Sequence, residues 1–251
     1  MKKIEPLNSF SFSRFTQLCK RTIELNLQSW LMGFAAVMGI LFIIWFIPIL
    51  IGGSVWHNYQ VGNLLPSATV LFVLGGLLMT SAIFKELHSS TTSFQFLTLP
   101  ATAFEKLLNA WAITTVLYII ASFIFYFLLT LMIQLITAFV LTTELSIQLF
   151  NPLDFKIAET VASYLYYQSI FLLGAVYFVK NNFLKTLLSI VIVVISIIVI
   201  VGIILFVSGG GFSLRFSSDQ ITTGVGHAVS ILISLFMLTT AWIRLKNKQV
   251  V

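Results

Sequence analysis

The sequence predicts an all-α integral membrane protein. Six transmembrane helices follow an amphipathic interfacial N-terminal helix, and both termini are cytoplasmic. Three observations predict this. The chain of 251 residues is 59% hydrophobic and only 9% charged, against about 25% charged in ordinary soluble domains, and its mean hydropathy is +1.03. A water-soluble fold of this length could not hide so much apolar surface. Several unbroken apolar runs also reach the ~20 residues that cross ~30 Å of hydrocarbon. Finally, the basic residues divide unevenly between the two sides that six crossings would create.

Taken in order, residues 1–29 form an N-terminal region outside the membrane core, and residues 30–251 form the transmembrane domain. Within "FSFSRFTQLCKRTIELNLQS", Phe12, Phe15 and Cys19 recur at helical spacing, with Arg14, Lys20, Arg21 and Glu24 between them. That pattern predicts a helix lying along the cytoplasmic face of the bilayer. It is not a cleaved signal peptide, because the first apolar run begins only near residue 30 and is too long. Cys19, the single cysteine, can form no internal disulfide.

The spans are expected at about 30–51, 68–84, 110–140, 161–179, 186–207 and 225–243. Continuous apolar runs suit helices rather than the alternating strands of a membrane barrel. The fifth, "TLLSIVIVVISIIVIVGIILFV", is β-branched throughout, but its length and continuity in lipid favour helix. Six crossings place twelve of the fourteen lysines and arginines on the side of the termini; only Lys156 and Arg215 fall on the other. The net charge of +6 therefore reads as membrane topology, not nucleic-acid binding.

No charged residue falls mid-span, which argues against an ion-coupled carrier or a voltage sensor. Gln134, Tyr164, Tyr166, Tyr167 and Gln168 are expected to bond between helices or to anchor at an interface. His57, His88 and His227 are scattered, with no metal-binding spacing. "SGGGFS" at 208–213 lacks the ending of a phosphate loop and reads as a turn. Catalytic and metal residues are thus expected to be absent. The outer loops at 141–160 and 208–224 are read as connectors or short lids.

Information concentrates in residues 85–111, "KELHSSTTSFQFLTLPATAFEKLLNAW", between spans two and three. Pro100 breaks the helix and pushes Leu99 towards extended backbone. Thr102 and Glu105 have the spacing of a capping box, so a helix should start at Ala103. Phe104, Leu107, Leu108 and Trp111 are expected on its apolar face, and Glu105, Lys106 and Asn109 on its polar face. Phe84–Leu87 should finish the second helix, and "SSTTS" should be a hydrophilic connector. Phe94, Phe96 and Leu97 are expected to be exposed and to need cover from headgroups or a partner protein.

At these residues the chain resembles type-2 ABC transporter permeases. "LPATAFEKLLNAW" looks like their Leu-Pro-x-Ser-x-x-Glu-Lys segment, and "FKELHSSTTSFQFLTLP" resembles small bacterial members. The resemblance is specific over roughly 30 residues and otherwise rests on layout. It implies that 85–109 is a coupling segment docking on a separate ATP-binding subunit, with Leu99, Pro100, Thr102, Glu105 and Lys106 at the matching positions. The arginine frequent in the family is Ala103 here. It further implies pairing with a second permease, the same or different, in a bacterial cytoplasmic membrane, and ATP with Mg in the partner rather than in this chain. The lack of charge within the spans suggests export of an apolar or amphipathic cargo. Two other classes stay open: a non-transporting scaffold that keeps this architecture, and a membrane enzyme.

Overall fold

The structure is a computed structural model and describes residues 10–51, 65–88, 92–141, 151–152, 154–207 and 220–249. It is all-helical, with no strand among the described residues. The helices are α1 (Phe12–Ile51), α2 (Leu65–Ala82), α3 (Lys85–His88), α4 (Ser93–Thr98), α5 (Ala103–Ala112), α6 (Tyr118–Leu141), α7 (Phe155–Tyr177), α8 (Asn182–Val207) and α9 (Gln220–Gln249), with a π-helical turn, Ile113–Leu117, joining α5 to α6. In hydrocarbon each backbone N–H and C=O must be bonded within its own segment, which a helix does. Pro66 sits in the first turn of α2, where its missing N–H is not needed.

The expectation of a separate N-terminal helix over residues 10–29 is corrected. The amphipathic stretch and the first span form one unbroken helix of 40 residues, about 60 Å long. No glycine or proline interrupts residues 12–32, so nothing in the sequence turns the chain at the membrane surface. Hydrocarbon can hold only about half of that length, so the other half lies outside it.

Five helical stretches among the described residues are long and apolar enough to cross a membrane: Phe12–Ile47, Leu65–Ala82, Ala103–Ile136, Asn182–Ile204 and Ala228–Lys248. The stretch expected as a fourth span lies in α7. At 23 residues α7 is long enough, but Ser163, Tyr164, Tyr166, Tyr167, Gln168 and Ser169 dilute its apolar character, and it is not one of the five. The second helix ends at Ala82, so the expected continuation through Leu87 is instead a separate turn of helix, α3. His57, Arg215, the glycine-rich 208–213, most of both outer loops and the side chain of His227 lie outside what is described.

The chain divides into two compact units, Met1–Thr80 with Pro100–Leu165, and Ser81–Leu99 with Tyr166–Val251. In the first, Leu41, Trp45, Leu129 and Ile133 form a buried core. Beside it, rings replace aliphatic packing: Phe72, Tyr118 and Tyr164 lie 5.2–5.5 Å apart. Each tyrosine hydroxyl needs an acceptor in this dry setting. Tyr118 donates to Phe72 O (2.6 Å), Tyr126 to Ala68 O (2.9 Å) and Tyr164 to Thr114 O. The reading of Tyr164 as an interhelical hydrogen-bonding group is what the structure has. Gly76 makes the arrangement possible, because a Cβ there would meet the rings of Tyr164 and Tyr118.

In the second unit the equivalent close approach is Gly174 on α7 against Thr186 on α8. The rest of α8 presents isoleucine and valine side chains outward, almost all exposed; in a bilayer these face lipid. Replacing Gly76 by alanine is expected to destabilise the protein by about 1–3 kcal/mol, the cost of overpacking a closed site. The same change at Gly39, where a Cβ meets nothing within 4 Å, should be nearly neutral. Unfolding in mixed micelles measures both, and equal effects would contradict the packing described.

Candidate functional site: the polar segment between α2 and α6

The first unit holds the segment from Pro100 onward. Leu99, before the proline, has φ −55° and ψ 132°, the extended conformation that proline imposes on its predecessor. Thr102 is the N-cap of α5. Its Oγ1 accepts from Glu105 N (3.1 Å), and Glu105 Oε2 accepts from Thr102 N (2.7 Å). The capping box expected from the sequence is therefore present, and the helix starts at Ala103.

Its other carboxylate oxygen does something the sequence did not suggest. Glu105 Oε1 accepts from Ser11 N (2.8 Å), Arg14 Nε (3.3 Å) and Arg14 Nη2 (3.0 Å), so it ties α5 to the start of α1. Lower down, Asn109 Nδ2 donates to Thr22 Oγ1 (3.0 Å), which donates to Leu18 O (2.9 Å). The outer half of α1 is thus packed along α5.

The faces of α5 are accordingly the reverse of those expected. Glu105, Lys106 and Asn109 are buried together with Leu107, whereas Phe104 is 49% exposed. Amphipathic periodicity assumes that the polar stripe faces water; here the stripe meets Arg14 and Thr22 of α1. Glu105 and Lys106, expected on a partner-facing surface, are inside. What is exposed is an aromatic patch that the sequence did not single out. Phe10 packs edge-on to Phe104 at 6.2 Å and contacts Phe15 at 6.0 Å, and Phe12 lies 6.4 Å from Phe15. Phe10 and Phe12 are both exposed. Phe12 and Phe15 were expected as a membrane-facing stripe; the partner that joins them, Phe104, lies about ninety residues away in sequence. Cys19 is half-buried on the same helix, and burial pushes its thiol pKa up.

The earlier half of the segment belongs to the second unit. Residues expected to be connector form α4, with Phe94 74% exposed, Leu97 half-buried and Phe96 only 8% exposed. Phe96 is therefore corrected from exposed to buried: its ring stands edge-on to Phe84 at 6.1 Å. The hydroxyl-rich residues 89–91 lie outside the description, but Thr92 Oγ1 donates to Glu86 O (3.1 Å). In the same unit, two side chains close the C-terminal end of α7, where carbonyls lack helical partners. His88 Nε2 donates to Ala175 O (2.7 Å) and Lys248 Nζ to Val176 O (2.9 Å). Phe178 N–H bonds Gly174 O (2.9 Å), and Asn181 follows at φ 54°, a left-handed conformation that asparagine tolerates.

The electrostatics follow from this packing. Burial alone would raise the Glu105 pKa, but the Ser11 and Thr102 N–H groups and then Arg14 outweigh it and hold the carboxyl below its usual value. Burial draws Lys106 down to about 8, with adjacent Glu105 opposing. Burial also lowers His88; its bond to Ala175 O opposes this, and the nearby Lys248 charge adds to it. No pair of acid and base, no nucleophile with a base and, among the described residues, no group of metal-ligating side chains accompanies these positions. Their arrangement is mechanical: a carboxylate joins two helices beneath an apolar surface. Comparison with protein-family models, with curated proteins and with solved structures finds no match.

Removing either partner of a buried ion pair strands the other charge, at about 3–5 kcal/mol. Glu105→Ala and Arg14→Ala are each expected to lose stability on that scale, and the double variant much less than their sum; strict additivity in micelle unfolding would show the pair is not coupled. The pH dependence has a definite sign. Because the folded pKa of Glu105 is depressed, its contribution is complete above the ordinary carboxylate range and is lost as pH falls through the folded value. The wild type should therefore lose more stability on acidification than Glu105→Gln, and parallel curves would contradict this.

Proposed function

We propose that this chain is the membrane permease subunit of an ABC transporter, driven by a separate ATP-binding subunit that docks on the segment 85–109. The observation that carries the reading is an exposed aromatic surface, Phe10, Phe12 and Phe104, seated on two helices locked together by Arg14 and Glu105. A soluble protein pressing on that surface would displace α1 and α5 as one body. Since α5 continues through the π-turn into α6, the displacement would pass into the hydrocarbon without a flexible joint. Phe94 on α4 offers a further exposed ring within the segment. The resemblance of "LPATAFEK" to the permease signature supplies the kind of partner, and nucleotide state need only favour one conformation to drive a switch.

In this reading Glu105 and Lys106 transmit force from inside rather than touching the partner, while Pro100, Phe94 and Phe104 meet it. α7 is the remaining crossing, giving six spans, both termini in the cytoplasm of a bacterial cell and pairing with a second permease. The basic asymmetry supports that topology, because α7 separates Lys156 from Lys180 and Lys185. The cargo is apolar or amphipathic, and the direction is export.

Purification of the tagged chain from its native membrane is expected to bring down a subunit with a phosphate-loop motif. Phe104→Asp and Phe94→Asp should each reduce its recovery at least tenfold. A chain that purifies alone would leave the scaffold reading in its place. Topology is tested in a Cys19→Ser background with single cysteines at Asn151 and Asn181. Labelling by an impermeant maleimide from opposite sides is expected; labelling from one side would remove α7 from the spans.

A further inference from the structure

The first unit contains a cavity of about 250 Å³ between α1, α2 and α6. Trp30, Gly33, Phe34 and Val37 line it from α1, Leu78 and Met79 from α2, and Ser122 and Phe125 from α6. All of these lie within the stretches apolar enough to cross a membrane, so the cavity opens among lipid chains rather than water. Its lining is overwhelmingly apolar, with one exception that the fold leaves unexplained. Ser122 is 3% exposed, and its Oγ makes no hydrogen bond. A serine in a helix can bond the carbonyl four residues back, as Thr114 does to Ala110 O (2.8 Å); Ser122 does not. The neighbouring hydroxyl of Tyr118 has committed its proton to Phe72 O. A buried hydroxyl without a partner costs free energy, and here it lines a space large enough to admit one.

We propose that this cavity binds one chain of a single-chain membrane amphipath, with a hydroxyl or carbonyl group of the ligand bonded to Ser122. The volume selects the occupant. It exceeds the ~150 Å³ apolar cavity that accepts benzene, yet one turn of helix, about 10 Å wide and 5.4 Å long, fills roughly 400 Å³. A helix of a second copy therefore does not fit, whereas an alkyl chain does. Gly33 keeps the cavity open, since a Cβ built there meets nothing within 4 Å. The site needs no nucleotide and no second subunit, so it stands or falls independently of the transport reading.

The test uses the full chain in nanodiscs of saturated phosphatidylcholine, with Trp45, Trp56, Trp111 and Trp242 changed to phenylalanine so that Trp30 alone reports. The probes are a brominated long-chain alcohol and the matching bromoalkane, whose bromine quenches tryptophan on contact. Saturable quenching by the alcohol at low mole fraction is expected. Gly33→Leu should abolish saturation, while Gly39→Leu, also in open space but away from the cavity, should preserve it and so controls for folding. Ser122→Ala should weaken the alcohol about tenfold, to the level of the bromoalkane. Quenching that rises linearly with probe and ignores Gly33→Leu would mean ordinary contact with bulk lipid and would overturn the proposal. So would an absence of quenching, the result if another chain covers Trp30.

Discussion

A carboxylate removed from water survives as an anion only if charge and hydrogen bonds replace its hydration. Glu105 meets that condition with the N–H groups of Ser11 and Thr102 and the guanidinium of Arg14. Three separate pieces of chain converge on one side chain: the residue before α1, the first turn of α1 and the N-cap of α5. Each of those placements depends on the others. Without the capping box the carboxylate would not be aimed at α1, and without Arg14 its burial would be unfavourable. The outer half of a 40-residue helix is held in place by this single anion and by the Asn109–Thr22 contact beneath it.

Within the hydrocarbon the logic changes. Lipid is as apolar as leucine, so burying side chains there gains little, and close contact and hydrogen bonding take over. The first unit responds with stacked rings, a glycine where two tyrosines must approach, and hydroxyls bonded to backbone carbonyls of neighbouring helices. The π-turn belongs to the same scheme. Tyr118 N–H reaches back to Ile113 O, and the carbonyl of Thr114 receives the Tyr164 hydroxyl. The second unit is built more sparsely. Its best-satisfied polar feature is the end of α7, where His88 and Lys248 take carbonyls that the helix itself cannot.

What the sequence disclosed was local. The helical class, the apolar runs, the break at Pro100 and the reciprocal bonds of Thr102 and Glu105 all depend on residues within a few positions of each other. What it concealed was set by distant pairings. The polar stripe of α5 looked solvated because nothing near it in sequence announces Arg14, ninety-one residues earlier. Phe104 looked buried for the same reason. Phe96 differs from Phe94 only in which side of a six-residue helix it occupies, and the hydroxyl-rich run beside it suggested a connector rather than a helix. The continuity of α1 was in principle legible, because residues 12–32 contain no breaker. The change from amphipathic to uniformly apolar character was mistaken for a change of element.

The π-turn at Ile113–Leu117 has a consequence for how this chain could vary. A π-turn amounts to one residue more than an α-helix needs. Deleting a single codon there would restore regular winding and rotate everything beyond it by about 100° relative to α5. Tyr118, Ser122 and Tyr126, which share one face of α6, would swing together off the neighbouring helices. Substitution elsewhere in α6 alters one contact at a time, whereas the length of this short stretch fixes the phase of the whole helix against the ones it touches. The spacing between Asn109 and Ser122 is therefore a tighter constraint on the protein than the identity of most residues within it.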